Sequence, residues 1–141
     1  MKLKTILMFT AVIIFVSFIA CSPTKPISIE ISYEDFTEGK YFTWVANADV
    51  GDKVVVTLGS NPTAGFEWPD MAQIGNKEIL QQTDHKFVSP EQTGVVGASG
   101  KDVWTFKALK KGMTTISMDY SRPWETIEKA EWVFKATITV E

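Results

Sequence analysis

The sequence predicts an all-β sandwich. Three observations lead there. Apolar residues recur at every second position in five separate segments, which is the mark of half-buried strands. Gly, Pro and Asn punctuate the gaps between those segments. No window carries a long helical stripe, and the best candidate, Asp70 to Leu80, is short and interrupted by Gly75. Many short strands with such turns form sandwiches.

Ahead of the first strand stands a leader. Lys2 and Lys4 precede an apolar run from Ile6 to Ile19, which ends at the small residue Ala20. That order is the order of a secretory signal, and the run is short for a membrane span. Cys21 follows at once, so that Phe18-Ile19-Ala20-Cys21 resembles a bacterial lipobox. The resemblance implies cleavage after residue 20 and acylation of Cys21, with palmitate among the acyl chains, giving an exported lipoprotein held on the cell envelope or surface. Ser22 to Pro26 contains two prolines and no apolar period, as a short tether does.

The remaining residues, 27–141, make one domain. Its first strand alternates Ile27, Ile29, Ile31 and Tyr33 against Ser28, Glu30 and Ser32. The second sets Val54, Val56 and Leu58 against Lys53, Val55 and Thr57, just after the Gly51-Asp52 turn signal. Trp104, Phe106 and Ala108 share a face, as do Ile116, Met118 and Tyr120. The last strand is the clearest, with Trp132, Phe134, Ala136, Ile138 and Val140 opposite Val133, Lys135, Thr137 and Thr139. Most of the five tryptophans are expected in the core. Cys21 is the single cysteine, so the domain contains no internal disulfide and its apolar core must hold it together.

Charge removes several functions. Formal net charge is −3, and loss of Lys2 and Lys4 with the leader leaves 12 basic against 17 acidic residues. No Lys/Arg stripe offers a track for phosphates, so nucleic acid is not an expected partner; Lys110-Lys111-Gly112 reads as a turn. His85 is the one histidine, and Cys21 is committed to the anchor. No Cys-His or Ser-His set with an orienting third group is available, so an enzyme is not expected. Scattered carboxylates show no metal-ligand spacing and nothing calls for a cofactor. His85, between Asp84 and Lys86, reads as a solvated strand residue.

Strand parity then gathers three loops. If residues 66–93 hold two strands, the chain reverses after Leu58, before about Glu78, at Gly94 to Gly100, at Lys110 to Gly112 and after Tyr120. Alternate reversals of an antiparallel chain lie at one end, so the first, third and fifth cluster. The first is Asn61-Pro62-Thr63-Ala64-Gly65-Phe66, a turn stiffened by Pro62, with Gly65 free to take a positive φ. The second is glycine-rich and ends Gly97-Ala98-Ser99-Gly100. The third begins Ser121-Arg122-Pro123-Trp124-Glu125.

Through these residues the sequence resembles the chagasin family of cysteine peptidase inhibitors, whose members carry an NPTTG[YF] signature, a glycine-rich segment and an RPW or RPF signature. Ala64 stands where the family has a second Thr, and Ser99 where a glycine is common; both are small, which points to tuned affinity. The resemblance implies an immunoglobulin-like antiparallel sandwich, acting as a monomer, that blocks the active-site cleft of papain-family cysteine peptidases. It implies that Asn61 to Phe66 take the centre, with Thr63 nearest the catalytic pair. Trp124 would lie on an aromatic surface to one side. Arg122 would hold the third loop or pair with acidic groups at the rim, and the Gly97 to Gly100 backbone would approach on the other flank. The alternative is an immunoglobulin-like surface module that binds a glycan or a protein, with Trp124 and Trp68 as platforms.

Overall fold

The computed structural model describes residues 26–90, 97–125 and 130–141. The leader and Cys21 lie outside them, as does Gly94. Within the described residues eight strands form two four-stranded sheets. In chain order they are β1 (Ile27–Ile31), β2 (Tyr41–Ala48), β3 (Lys53–Ser60), β4 (Gln73–Ile74), β5 (Leu80–Val88), β6 (Gly100–Ala108), β7 (Gly112–Tyr120) and β8 (Trp132–Val140). One sheet has the order β1-β3-β6-β5 and the other β2-β8-β7-β4. Their alternating inner faces meet in a single core that includes Ile29, Val56, Leu58, Phe106, Ile116, Phe134 and Ile138, the residues the period-two pattern selects.

The antiparallel expectation holds for β3–β6, β5–β6, β4–β7 and β7–β8. It is corrected at two edges, where β1 runs parallel to β3 and β2 parallel to β8. The cause is a short crossover. Instead of turning back within its own sheet, the chain leaves β1 through α1 (Tyr33–Thr37) and enters the opposite sheet.

Helix α1 also cuts the first strand short, at Ile31 instead of Tyr33. Ser32 and Asp35 form a reciprocal capping box: Ser32 Oγ accepts from the Asp35 N–H, and an Asp35 carboxylate oxygen accepts from the Ser32 N–H at 2.9 Å. That start signal outweighs one more step of strand. The Ser32 hydroxyl, donating to the same carboxylate, and then its N–H hold the Asp35 carboxyl below its ordinary range. The helix lies directly on Gly59, where a Cβ would come within 2.2 Å of the Tyr33 nitrogen. No side chain but hydrogen fits there.

Two strands do lie between residues 66 and 93, β4 and β5, and no helix occupies Asp70 to Leu80. The turn at Lys110–Lys111 joins β6 to β7 as expected. At the end where β3, β5 and β7 finish, aromatic rings join β7 and β8 to α1 and to the segment that follows β3. Tyr120 stacks on Trp132 at 4.7 Å, Trp132 on Phe36 at 4.9 Å, and Trp68 leans on Tyr120 at 4.9 Å. Each such pair contributes about 1 kcal/mol beyond its buried area, so the loops that leave this end stand on a stiff base.

Candidate functional site: three tied loops

The loops between β3 and β4, β5 and β6, and β7 and β8 meet at this end, and named bonds join them. Asn61 Nδ2 donates to the Gly97 carbonyl at 3.2 Å, linking the first loop to the second. Glu67 and Ser121 exchange backbone hydrogen bonds of 2.9 and 3.1 Å, an isolated antiparallel bridge that links the first loop to the third.

The first loop is built around Asn61. Its Oδ1 accepts from the Thr63 N–H at 3.2 Å and from the Thr63 hydroxyl at 2.6 Å, an Asx-type cap on a single 3₁₀ turn over Pro62–Ala64. The Thr63 proton is therefore committed to Asn61, while the hydroxyl oxygen of this exposed residue keeps its capacity to accept. Gly65 closes the turn at φ 79°, where a Cβ would meet the Trp124 ring at 2.9 Å. Pro62, Thr63 and Ala64 are exposed, and Phe66 is half-buried.

Beneath the turn lies Tyr120, which the sequence offered only as a core residue. Its hydroxyl accepts from the Asn61 N–H at 2.9 Å and donates to the Asn61 carbonyl at 3.3 Å. Burial raises the phenol's pKa above its ordinary value, against the opposing effect of the Asn61 backbone hydrogen bond. The group stays protonated and able to donate. Its position at the end of β7, facing in by parity, was the available signal.

In the third loop Arg122 lies with its guanidinium 4.4 Å from the centre of the Phe66 ring, a cation–π contact, and Nη1 donates to Glu125 at 3.0 Å. Of the two expected roles for Arg122, this geometry is that of holding the loop. Trp124 is 66% exposed, its ring edge set against Gly65. Pro123 beside it is exposed as well. In the second loop Gly97 takes φ 85° and is open around its Cα. Ala98 and Ser99 are half-buried. Gly100 is the first residue of β6, and Phe87 and Val88 pack so closely on it that a Cβ would lie 2.6 Å from both; its smallness serves packing at the base of the loop.

Two expectations are corrected. His85 is no solvated residue: its side chain is 17% exposed, Nε2 lies 2.9 Å from the Asp102 carboxylate and Nδ1 3.3 Å from that of Asp70, and the ring stacks on Trp104 at 4.8 Å. Inward parity on an edge strand places it over a buried carboxylate. Trp68 cannot serve as a binding platform, because it is 4% exposed and its Nε1 donates to the Gly59 carbonyl at 3.0 Å. Among the described residues no group of His, Cys, Asp and Glu could hold a metal, and no helix is long and apolar enough to cross a membrane.

Comparison with known proteins matches residues 47–138 to the family model of the chagasin family of peptidase inhibitors. Amoebiasin-2 of Entamoeba histolytica is 34% identical over 74 residues, 52% of this chain and 58% of its own length. Chagasin of Trypanosoma cruzi is 30% identical over 79 residues, 53% of this chain and 69% of its own. The match therefore spans less than two thirds of amoebiasin-2. Among solved structures, the cysteine protease inhibitor EhICP2 of Entamoeba histolytica superposes with a TM-score of 0.61 at 22% identity, over 72% of this chain and 95% of that one; at that identity the likeness is one of fold, an immunoglobulin-like sandwich.

Proposed function

Because the chain belongs to the chagasin family of peptidase inhibitors, we propose that it is a reversible inhibitor of papain-like cysteine peptidases that lodges its three tied loops in the active-site cleft. The observation that carries this reading is the cross-tying itself. Pro62, Thr63, Ala64 and Trp124 are exposed at the tip, while the backbone behind them is fastened through Asn61, Gly97, Ser121 and Tyr120. A surface already ordered before binding loses little conformational entropy on complex formation.

A papain-like enzyme keeps a thiolate beside an imidazolium and awaits an extended peptide whose carbonyl it can attack. The Asn61–Phe66 loop offers a 3₁₀ turn closed by a left-handed glycine instead. Its peptide bonds are curved away from a line of attack, and Thr63, nearest the catalytic pair, brings an oxygen that can accept from the imidazolium. Trp124 supplies a large ring with few rotatable bonds, the kind of residue that dominates interfaces, and lies on an aromatic surface beside the catalytic pair. Gly97 to Ser99 approach the opposite flank through backbone. The chain acts as a monomer. By the same reading the leader is cleaved and Cys21 acylated, so the inhibitor works from a membrane surface; incorporation of labelled palmitate in cells, abolished by Cys21→Ser, tests that part.

The inhibitory reading is tested by steady-state inhibition of papain, with the full chain in neutral detergent beside a Thr63→Ala/Trp124→Ala variant. The expected result is tight competitive inhibition that the variant loses. Papain left fully active by the natural chain at micromolar concentration would falsify it.

A further inference from the structure

We propose that the free edge of β2 is a second docking site, which takes an extended basic segment of a partner protein as an added strand. The first support is backbone phase. Among the described residues strand β2 pairs with β8 alone, and the Val133 N–H donates to the Lys40 carbonyl while the Glu141 N–H donates to the Ala48 carbonyl. In a parallel pair every second residue bonds the neighbour, so the even-numbered residues of β2 face β8. The N–H and C=O groups of Tyr41, Thr43, Val45 and Asn47 therefore point to the open side.

The second support is a contrast among the four sheet edges. Exposed edges are ordinarily guarded by charge, proline, bulges or brevity. Strand β1 carries Glu30, β4 is two residues long, and β5 has a bulge between Gln82 and Asp84 as well as Asp84 and Lys86. Strand β2, eight residues of sequence YFTWVANA, has none of these devices. Its Tyr41 and Val45 are 72% and 74% exposed.

The third support names the occupant. Along the loop-proximal half of β2 runs an open groove of about 410 Å³, in which Tyr41, Phe42 and Trp44 face the carboxylate-bearing residues Glu30, Asp35 and Glu38. Among the described residues no basic side chain lines it. Lys101 reaches Glu30 from one side at 3.6 Å, and Lys40 lies over the Tyr41 ring at 5.9 Å. Aromatic walls and acidic rims fit alternating Lys or Arg side chains of an incoming strand, whose backbone would pair with the free groups of Tyr41 and Thr43. A second copy of this chain, with a net charge of −3, is disfavoured by the same carboxylates. The groove lies on the β1/β2 flank and leaves the three loops free.

The test uses the full chain in neutral detergent, with backbone amides followed by NMR during titration with a capped heptapeptide of alternating lysine and valine. Expected are shifts confined to residues 30–47 and binding at least about tenfold weaker in Thr43→Pro, which removes one free-edge donor, and in Glu30→Lys/Glu38→Lys. Papain inhibition should stay within about twofold in both. If Thr43→Pro does not fold, the charge variant decides, since both its positions are exposed. Binding absent up to about 1 mM (roughly −4 kcal/mol), binding insensitive to the folded variants, equal binding of the glutamate-for-lysine peptide, or β2 shifts that follow protein concentration alone would each overturn the proposal.

Discussion

The Asn61 carboxamide donates to the Gly97 carbonyl across 36 residues of chain, and the oxygen of the same carboxamide holds Thr63. One side chain thus shapes the first loop and fastens it to the second. Asn61→Ala is predicted to lower stability by about 1 kcal/mol, as for a small set of exposed hydrogen bonds, yet to weaken papain inhibition by about tenfold because the loop tip loses its fixed shape. Thermal denaturation and inhibition constants, measured side by side, check the split; equal and small effects on both would contradict it.

Trp124 and Gly65 should behave in opposite ways. Trp124→Ala removes an exposed ring and is expected to leave stability within about 0.5 kcal/mol while weakening inhibition by about 2 kcal/mol, roughly 30-fold. Gly65→Ala puts a Cβ at positive φ and should cost about 1–2 kcal/mol of stability. Part of that cost is collision with the Trp124 ring, so the double variant should lose less stability than Gly65→Ala alone.

Tyr120→Phe removes both bonds to the Asn61 backbone and leaves its N–H without that partner, at a cost of about 1–3 kcal/mol. The pH dependence has a definite sign. Folding raises the phenol's pKa above the ordinary 10.0, so the associated stability is present below that pH and is lost as pH climbs from there through the folded value. Alkaline unfolding, followed by tyrosinate absorbance, should be less steep in Tyr120→Phe than in the natural chain.

His85→Ala is expected to destabilise by about 1–3 kcal/mol, because it strips the partner from the Asp102 carboxylate, whose residue is 7% exposed. Replacing both His85 and Asp102 with Ala should cost less than the sum of the two single changes. Denaturant titration of the four proteins measures this coupling.

What the sequence disclosed and what it withheld have physical causes. Strands such as β3 and β8 bury one face completely, so Val54-Val56-Leu58 and Trp132 to Val140 alternate plainly. Counting reversals sufficed to gather three loops whose contacts are long-range. Strand β2 escaped detection because an edge strand exposes residues on both faces and its alternation fades. Helix α1 has five residues, too few for a periodic stripe, although Ser32 and Asp35 spelled its cap. The role of Tyr120 depends on Asn61, 59 residues away, and that of His85 on Asp102, 17 away. No local pattern records such partners, and Trp68 and Trp124 look alike until the fold buries one of them.

The most direct test of the central claim is binding of the full chain to papain whose catalytic thiol carries a bulky, irreversible cleft-filling label, compared with unlabelled papain. If the three loops occupy the cleft, the chain binds unlabelled enzyme tightly and the labelled enzyme at least about a hundredfold more weakly, a difference of roughly 2.7 kcal/mol. Equal affinity for the two forms would mean that the loops engage another surface and that Asn61, Thr63 and Trp124 do not act in the cleft.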